Sequence, residues 1–269
     1  MAIVESKVRP EREVQNRKAL VERWWQYAEK RPGLYKAITG LDRVLVISRV
    51  GQQAAFAFVS ARMVFSDSLI VFPLASYAAF CALQSRPHET WARFFGSSMK
   101  DDLRYTPSDC FETFPFPENW ETRAALEVAG QAYYEFRAEL MLRHDEGLTK
   151  TYNRFHDPDE RDSEIVKLRA LHVAMDRAVF DAYGWSNIST DSEFLLDYDI
   201  DEDWGDKKKP YRYGWPDEVR DEVLARLLEL NAERAKEEAR SGAAAPKKLA
   251  KEATTTKRAR KEPDMGRLF

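Results

Sequence analysis

Short β-branched runs interrupt a chain whose periodicity is otherwise mostly helical, and all of these runs lie before a proline pair. Arg43–Val50 and Leu69–Phe72 are dense in Val, Ile and Leu, and turn-forming residues separate them from the β-prone stretch 54–65. Such runs predict short strands of a small, mostly antiparallel sheet. Pro115 and Pro117 mark the exit from this region, because proline neither donates to a sheet nor continues a helix.

Helical periodicity flanks the predicted sheet on both sides. It predicts helices over 16–30, 76–85, 87–95, 121–143, 163–183 and 215–240. The stretches expected to be irregular are 148–156 and 191–206. The fold class is therefore α+β, with a sheet-containing domain over 1–120, an α-helical domain over 121–240 and a disordered basic tail over 241–269, whose composition cannot bury enough apolar surface.

The balance of acidic and basic residues differs among the same three regions. Residues 1–120 carry 16 Lys/Arg against 13 Asp/Glu, residues 121–240 carry 18 against 29, and residues 241–269 carry 8 against 3. The first region can therefore bind a negatively charged partner, whereas the second would be repelled by one. A role as a spacer or as a protein-docking region fits the acidic helices better.

Glycine spacing excludes the common nucleotide-binding loops. No two of the 11 glycines are closer than seven residues apart, whereas dinucleotide and P-loop motifs need glycines two to five apart. The four histidines form no His-x-x-x-His pair and the two cysteines lie far apart, so no metal site is expected. The acidic run 197–203 lacks the glycine and glutamate of an EF-hand loop.

The termini and the longest apolar runs bear on location. No run approaches the ~18–20 residues that a membrane helix needs, and the first residues contain no signal-peptide apolar region. The sequence therefore predicts a cytoplasmic protein with no membrane partner.

Polar side chains suited to DNA cluster around the predicted sheet. Arg, Gln and Lys are the residue types that bind base edges or phosphates. Those near the strand ends and after the sheet are Arg49, Gln52, Gln53, Arg62, Arg86, His88, Lys100 and Arg104. Composition alone leaves ordinary surface charge as the alternative. The aromatic residues Trp91, Phe94 and Phe95 are expected to pack the helix over 87–95 against the sheet instead of contacting DNA.

Several motifs carry a family resemblance. Two segments, Trp25–Pro32 and Arg43–Val50, resemble the start of the target recognition domain of MmeI-like (type IIL) restriction-modification proteins. Three others, Leu83–Trp91, Leu103–Thr106 and Phe111–Pro117, resemble the end of that domain. The segments that resemble the helical region following that domain are 148–153, 168–185 and 227–234. The resemblance covers roughly residues 15–240, with the motifs in the family's order.

The resemblance implies an adenine-N6 DNA methyltransferase of a restriction-modification or phage-defence system that uses S-adenosylmethionine and binds double-stranded DNA. The family's Asn-Pro-Pro-Tyr type catalytic motif belongs upstream of these segments, and this sequence contains none. The chain is therefore expected to be the specificity portion, with no catalytic, cofactor or metal residues of its own, working with a methyltransferase domain or subunit. The alternatives are a helical protein-interaction module or degenerate remnant that binds no DNA, and an independent enzyme.

Overall fold

The computed structural model describes residues 2–26, 30–99, 102–196 and 211–241, with backbone alone over 97–99. Met1–Asn231 form one compact unit and Ala232–Phe269 a second, of which the described part is the end of a helix, 232–241. The predicted basic tail over 241–269 falls, beyond residue 241, outside the described residues, and so does the acidic run 197–203.

Helices and short strands alternate in the first part of the chain. They are α1 (Ala2–Glu13), α2 (Lys18–Glu22), α3 (Pro32–Ala37), β1 (Arg43–Ser48), β2 (Val50–Gly51), β3 (Ala57–Ser60), β4 (Leu69–Phe72), α4 (Tyr77–Gln84), α5 (Arg86–Phe95), β5 (Ser97–Met99), β6 (Asp102–Arg104) and α6 (Pro107–Cys110). A 3-10 turn at Trp120–Thr122 leads into α7 (Ala124–His144), α8 (Leu148–Phe155), α9 (Ser163–Tyr183), β7 (Glu193–Leu196), β8 (Tyr211–Gly214) and α10 (Asp217–Ser241).

The strands form small antiparallel sheets, which confirms the predicted α+β class. The first sheet has the order β3-β1-β4, the second has the order β2-β6-β5, and β7 pairs with β8. The first two sheets meet at Arg49, between β1 and β2. Its N–H donates to Ser68 O at 2.8 Å, while its carbonyl accepts the N–H of Tyr105 at 2.8 Å.

Strand β1 is buried on both faces, as its unbroken apolar sequence predicts. Leu45 and Ile47 enter the main core with residues from α4, α7 and α9. Val44 and Val46 pack on the other side against Ile38, which follows α3. The first sheet is therefore covered by apolar side chains on both sides.

Helices α4 and α7 pack with unusually close backbones. A Cβ at Gly130 of α7 would lie 2.2 Å from the Tyr77 carbonyl oxygen and 3.0 Å from Cys81 Cβ, so only glycine fits. The main core runs without interruption from Phe80 of α4 to Tyr133 of α7 and Leu168 of α9. The domain boundary predicted after residue 120 stays a prediction, while the packing is continuous across that position.

Three segments differ from the sequence-based expectations. Of the helix expected over 16–30, the described residues 16–26 and 30 contain α2, in which Leu20 is the buried residue, so this helix gains little from packing. The loop expected over 148–156 is helix α8, whose Tyr152 and Phe155 are buried. Part of the irregular stretch expected over 191–206 is β7, which is paired with β8. Helix α9 has the predicted bounds, and Gly184 ends it with a φ of 77°.

None of the helices in the described ranges combines the length and apolar character needed to cross a bilayer.

Candidate nucleic-acid interface

Two of the predicted DNA-binding arginines are neighbours where the two sheets meet. Val50 pairs directly with Arg104, and the backbone of Arg49 is hydrogen-bonded to the residue that follows Arg104. Both arginine side chains are exposed. Neither guanidinium makes a hydrogen bond or an ion pair with another residue that the structure describes. A guanidinium in this state can bind a phosphate or the O6 and N7 atoms of guanine.

Gln52 and Gln53 continue from the same junction. Gln52 is exposed, and its carbonyl accepts a hydrogen bond from Arg93 Nη2 at 3.0 Å. Gln53 is half-buried, and its Oε1 accepts from Arg212 Nη1 at 3.5 Å. Gln52 therefore offers a free amide side chain on a fixed backbone, and Gln53 is partly engaged within the protein. We call Arg49, Gln52 and Arg104 the sheet rim.

Side chains from distant helices hold the loop between β2 and β3 in place. The Gln84 side-chain amide accepts from Phe56 N–H at 2.9 Å and donates to Ala54 O at 2.9 Å, which imitates a paired strand. Arg137 of α7 donates to Phe56 O at 2.7 Å. Because these bonds fix the backbone of the loop, the sheet rim needs little reorganisation to bind a ligand.

Arg137 is itself buried, with 2% of its surface exposed. Its Nη1 donates to the Tyr152 hydroxyl at 2.8 Å, and the rings of Phe80 and Tyr134 lie 5.2 and 5.3 Å from its guanidinium. Arg137 is not among the residues predicted from the sequence to have a role. Its position between Tyr133 and Leu140 on the buried stripe of α7 is the signal that could have identified it.

Arg62 lies at the opposite end of β1 from the sheet rim. The N–H of Ala61 donates to Asp42 O, next to the first residue of β1, and Arg62 lies 3.9 Å from the Asp42 carboxylate. Strand β1 has six residues, so roughly 20 Å separates its two ends at ~3.3 Å per residue. Arg62 is exposed, but the fold does not bring it to the sheet rim.

Arg86 is buried, so the prediction that it faces DNA is wrong. Its guanidinium pairs with Asp176 of α9, with Nη1 2.5 Å from Oδ2, and its backbone N–H donates to the same carboxylate. Burial alone would raise the pKa of Asp176, but the charges of Arg86 and His172 outweigh it and the net shift of the pKa is downward. Arg86 therefore ties the start of α5 to α9.

His88 is also buried, with 1% of its surface exposed, and the prediction that it contacts DNA is wrong. Its Nδ1–H donates to Leu83 O at 2.8 Å, so its Nε2 accepts from the Tyr105 hydroxyl at 3.1 Å. Burial lowers the pKa of His88 to about 4. Sequence reasoning could not detect these partners because folding alone brings them together. Lys100 lies outside the described residues.

The aromatic residues of α5 divide into two kinds. Trp91 is fully buried and donates from Nε1 to Thr113 Oγ1 at 3.1 Å, as expected for a packing residue. Phe94 is 55% exposed, so the expectation that it packs helix on sheet is wrong. Phe95 is intermediate between these two, because it is 38% exposed but its ring lies against that of Trp91.

One group of side chains within the described ranges has the spacing of a metal site: His144, Asp162 and Glu164. Arginines already neutralise its carboxylates, since Arg143 Nη2 lies 2.5 Å from Glu164 and Arg154 Nη2 lies 2.7 Å from Asp162. His144 Nε2 bonds Glu164 at 2.8 Å. The group is therefore a surface ion-pair network.

Comparison with known proteins relates the sheet-containing region to one protein family. Residues 4–118 match the family model of the MmeI target recognition domain. The segment includes both sheets and the whole sheet rim.

Two particular proteins extend this result. DNA methyltransferase A of Bacillus subtilis (strain 168) is 33% identical over 115 residues, which are 42% of this chain and 12% of that protein. A solved structure of the Type IIL restriction-modification enzyme MmeI in complex with DNA superimposes with a TM-score of 0.57 at 18% identity. It covers 86% of this chain and 26% of the enzyme, so the fold likeness extends well into the helical region.

Proposed function

We propose that this chain is the DNA target recognition portion of an S-adenosylmethionine-dependent adenine-N6 DNA methyltransferase of a restriction-modification or phage-defence system. The observation that carries the proposal is the pair of exposed guanidiniums of Arg49 and Arg104. Both belong to the junction of the two sheets, within the segment that matches the MmeI target recognition domain. The loop that follows β2 adds the exposed side-chain amide of Gln52.

In this mechanism the sheet rim selects the duplex before any chemistry takes place. An adenine methyltransferase must rotate its target base out of the stack, which costs a few kcal/mol. Guanidinium contacts to phosphates set the register of the duplex, and a bidentate contact to a base edge contributes about 1–3 kcal/mol of discrimination. Hydrogen bonds hold the backbone at Arg49 and at Gln52, so these groups cannot shift freely to accommodate a wrong base.

Methyl transfer then belongs to a methyltransferase domain or subunit outside this chain, and S-adenosylmethionine binds there. Support comes from the sequence, whose glycine spacing cannot form a cofactor loop and which contains no Asn-Pro-Pro-Tyr motif. The helical region, with its excess of 11 acidic residues over 121–240, suits contact with protein rather than with DNA. The proposed site of action is the cytoplasm.

The test is duplex binding, measured by fluorescence anisotropy at several salt concentrations. The wild-type chain is expected to bind with an affinity that falls steeply as salt rises. The double variant R49A/R104A is expected to bind about tenfold more weakly, with a salt slope reduced by about two because two cationic contacts are lost. Arg161→Ala is the matched control, since Arg161 is an exposed arginine of the acidic helical region.

Equal binding by the wild type and R49A/R104A would refute the proposed surface and favour a protein-interaction role of the helices. A second measurement tests the division of labour. The purified chain, incubated with labelled S-adenosylmethionine and duplex DNA, is expected to transfer no methyl group. Transfer by this chain alone would contradict the assignment of the chemistry to another domain.

A further inference from the structure

An open cleft lies where α7 ends and α8 begins. Its volume is about 550 Å³, and most of its lining is apolar. The apolar lining includes Tyr134, Met141, Leu142 and Leu148, together with Ala57, the first residue of β3. Clefts of this size and character are the usual binding places for apolar groups of a ligand or partner.

Leu142 is the most exposed large apolar side chain that the structure describes, at 82%. The opposite face of α7 is buried through Leu126, Tyr133 and Leu140, so the helix does not need a leucine at position 142 in order to fold. Isolated apolar residues on a surface are ordinary, but one that is continuous with an apolar cleft indicates a binding surface.

Two carboxylates, those of Asp145 and Glu146, also line the cleft. Glu146 is neutralised within the protein, because Lys150 Nζ lies 3.2 Å from it and Arg154 Nη1 lies 3.4 Å from it. Asp145 is exposed, and its carboxylate forms no hydrogen bond or ion pair with another residue that the structure describes. The charge that the cleft offers to a partner is therefore negative.

Asp145 is unfavourable for the fold in two respects. It ends α7 with a φ of 49°, in the left-handed region that glycine adopts most readily. It also adds a negative charge to a helix C-terminus, where the free carbonyls are already partly negative. The cations of the last turn, Arg143 and His144, bind Glu164 of α9 instead. The carboxylate is therefore available to a cation from another molecule.

Arg137 lines the cleft as well, but its charge is not available to a partner. The residue is 2% exposed, and its guanidinium donates to Phe56 O at 2.7 Å and to the Tyr152 hydroxyl at 2.8 Å. A partner thus meets apolar side chains and one exposed, unpaired carboxylate. The complementary partner surface is an apolar side chain with a lysine or arginine beside it.

We propose that this cleft docks the methyltransferase domain or subunit, which inserts an apolar side chain flanked by Lys or Arg. The apolar side chain packs on Met141 and Leu142, and the cation pairs with Asp145. The inference rests on the proposed function, which assigns methyl transfer to another domain, and adds the surface that joins the two parts. DNA does not suit this cleft, because Asp145 and the acidic excess over 121–240 repel phosphate.

The probe is a phage-displayed library of overlapping short peptides translated from the genome that encodes this chain. The wild-type chain is expected to enrich peptides from a methyltransferase sequence that contain a large apolar residue beside Lys or Arg. The affinity of one such peptide is then measured by fluorescence anisotropy. L142D is expected to weaken its binding about tenfold, because the apolar contact is lost.

Asp145→Lys tests the charge separately. D145K is expected to bind the same peptide about threefold more weakly, as for an exposed ion pair. It is also expected to bind more tightly a second peptide in which the Lys or Arg is replaced by Glu. This exchange of preference cannot result from misfolding, which weakens both peptides alike.

The matched control is V128D, which introduces the same charge at a 67% exposed position of α7 outside the cleft and is expected to bind the peptide as wild type does. A thermal melt verifies that each variant is folded. Equal peptide binding by L142D and V128D overturns the inference, and so does an unchanged charge preference in D145K. Enrichment without any methyltransferase peptide overturns it too.

Sedimentation distinguishes another occupant. A wild-type dimer that L142D converts to a monomer would assign the cleft to a second copy of this chain and overturn the inference. The duplex titration of R49A/R104A tests the proposed function independently, because neither arginine lines the cleft. L142D is expected to bind duplex DNA as wild type does, so a loss of duplex binding in L142D would also contradict the separation of the two surfaces.

Discussion

Arginine serves two opposite purposes in this protein. At the sheet rim, Arg49 and Arg104 are exposed and use their backbones, not their side chains, to hold the fold. In the helical region, Arg169 is buried and donates to Phe155 O at 2.9 Å and to Asp157 O at 2.8 Å, and Arg137 is used in the same way. The comparison teaches that arginine content does not locate a DNA-binding face: the guanidiniums available to a ligand are those that the fold leaves unused.

The largest effect is expected at the buried ion pair between the two regions. Asp176→Asn keeps the shape of the side chain but leaves Arg86 buried without its counter-charge, so the free energy of unfolding should fall by about 3–5 kcal/mol. Urea unfolding followed by circular dichroism measures it. Asp181→Asn is the control, because Asp181 pairs with Arg177 at 2.9 Å on the surface. Equal losses in the two variants would contradict the contrast between buried and exposed arginines.

The second-largest effect is expected at Arg137, which holds the loop between β2 and β3. Arg137→Met preserves much of the volume but leaves Phe56 O without its donor, while the Tyr152 hydroxyl loses one of two partners and keeps its bond to the Tyr133 hydroxyl. A cost of about 2–3 kcal/mol is expected for the buried groups that lose a donor. Arg161→Met, at an exposed position, should change the unfolding free energy by less than about 0.5 kcal/mol. An unfolding midpoint of R137M close to that of R161M would refute the structural role.

A pH dependence follows from the buried His88. Its pKa is lowered to about 4 in the folded protein, against about 6.5 in the unfolded chain. Between these values the unfolded state binds a proton that the folded state does not, so stability should fall as pH decreases from about 6.5 to 4. His88→Gln should reduce the slope by up to about 1.4 kcal/mol per pH unit. An unchanged slope in denaturant unfolding across this range would exclude the assignment.

The exposed arginines of the sheet rim, unlike the buried groups above, should contribute little to stability in the same unfolding measurement. Arg49→Ala and Arg104→Ala should each change the free energy of unfolding by less than about 0.5 kcal/mol, since their guanidiniums hold no described residue. A loss of 2 kcal/mol or more in either variant would show that the side chain supports the fold and is not reserved for a ligand.

The smallest effect is expected at Arg62. It is about 20 Å from the sheet rim along β1 and lies near the carboxylate of Asp42. Arg62→Ala should therefore weaken duplex binding less than R49A or R104A, by about twofold in the anisotropy titration. A loss as large as that of R104A would extend the DNA-binding surface along the whole strand.

Local sequence patterns predicted much of the fold. The unbroken apolar run of β1, the helical stripe of α9 and the proline exit each depend on neighbours in the chain, and each was identified correctly. Helix α8 was missed because eight residues give too few turns to establish a period. Within the described part of the helix expected over 16–30, only α2 is helical, because a helical pattern needs a surface to pack against and α2 buries a single residue, Leu20.

The site was less predictable because exposure depends on partners far away in sequence. Arg49 and Arg86 look alike in the sequence, yet Arg86 meets Asp176 ninety residues later, and Arg49 meets no described side chain. Phe94 and Trp91 likewise belong to one helical pattern but differ in exposure. Residue type and spacing narrow the candidates, and only the fold divides them into those that hold the structure and those that face outward.

The two backbone hydrogen bonds of Arg49 have a consequence for how such a surface changes over time. Every residue except proline can supply the same N–H and carbonyl, so the join between the sheets does not depend on which side chain stands there. Substitutions at this position can therefore accumulate without disturbing the scaffold, and the chemistry presented to a ligand can be exchanged while the architecture is inherited unchanged.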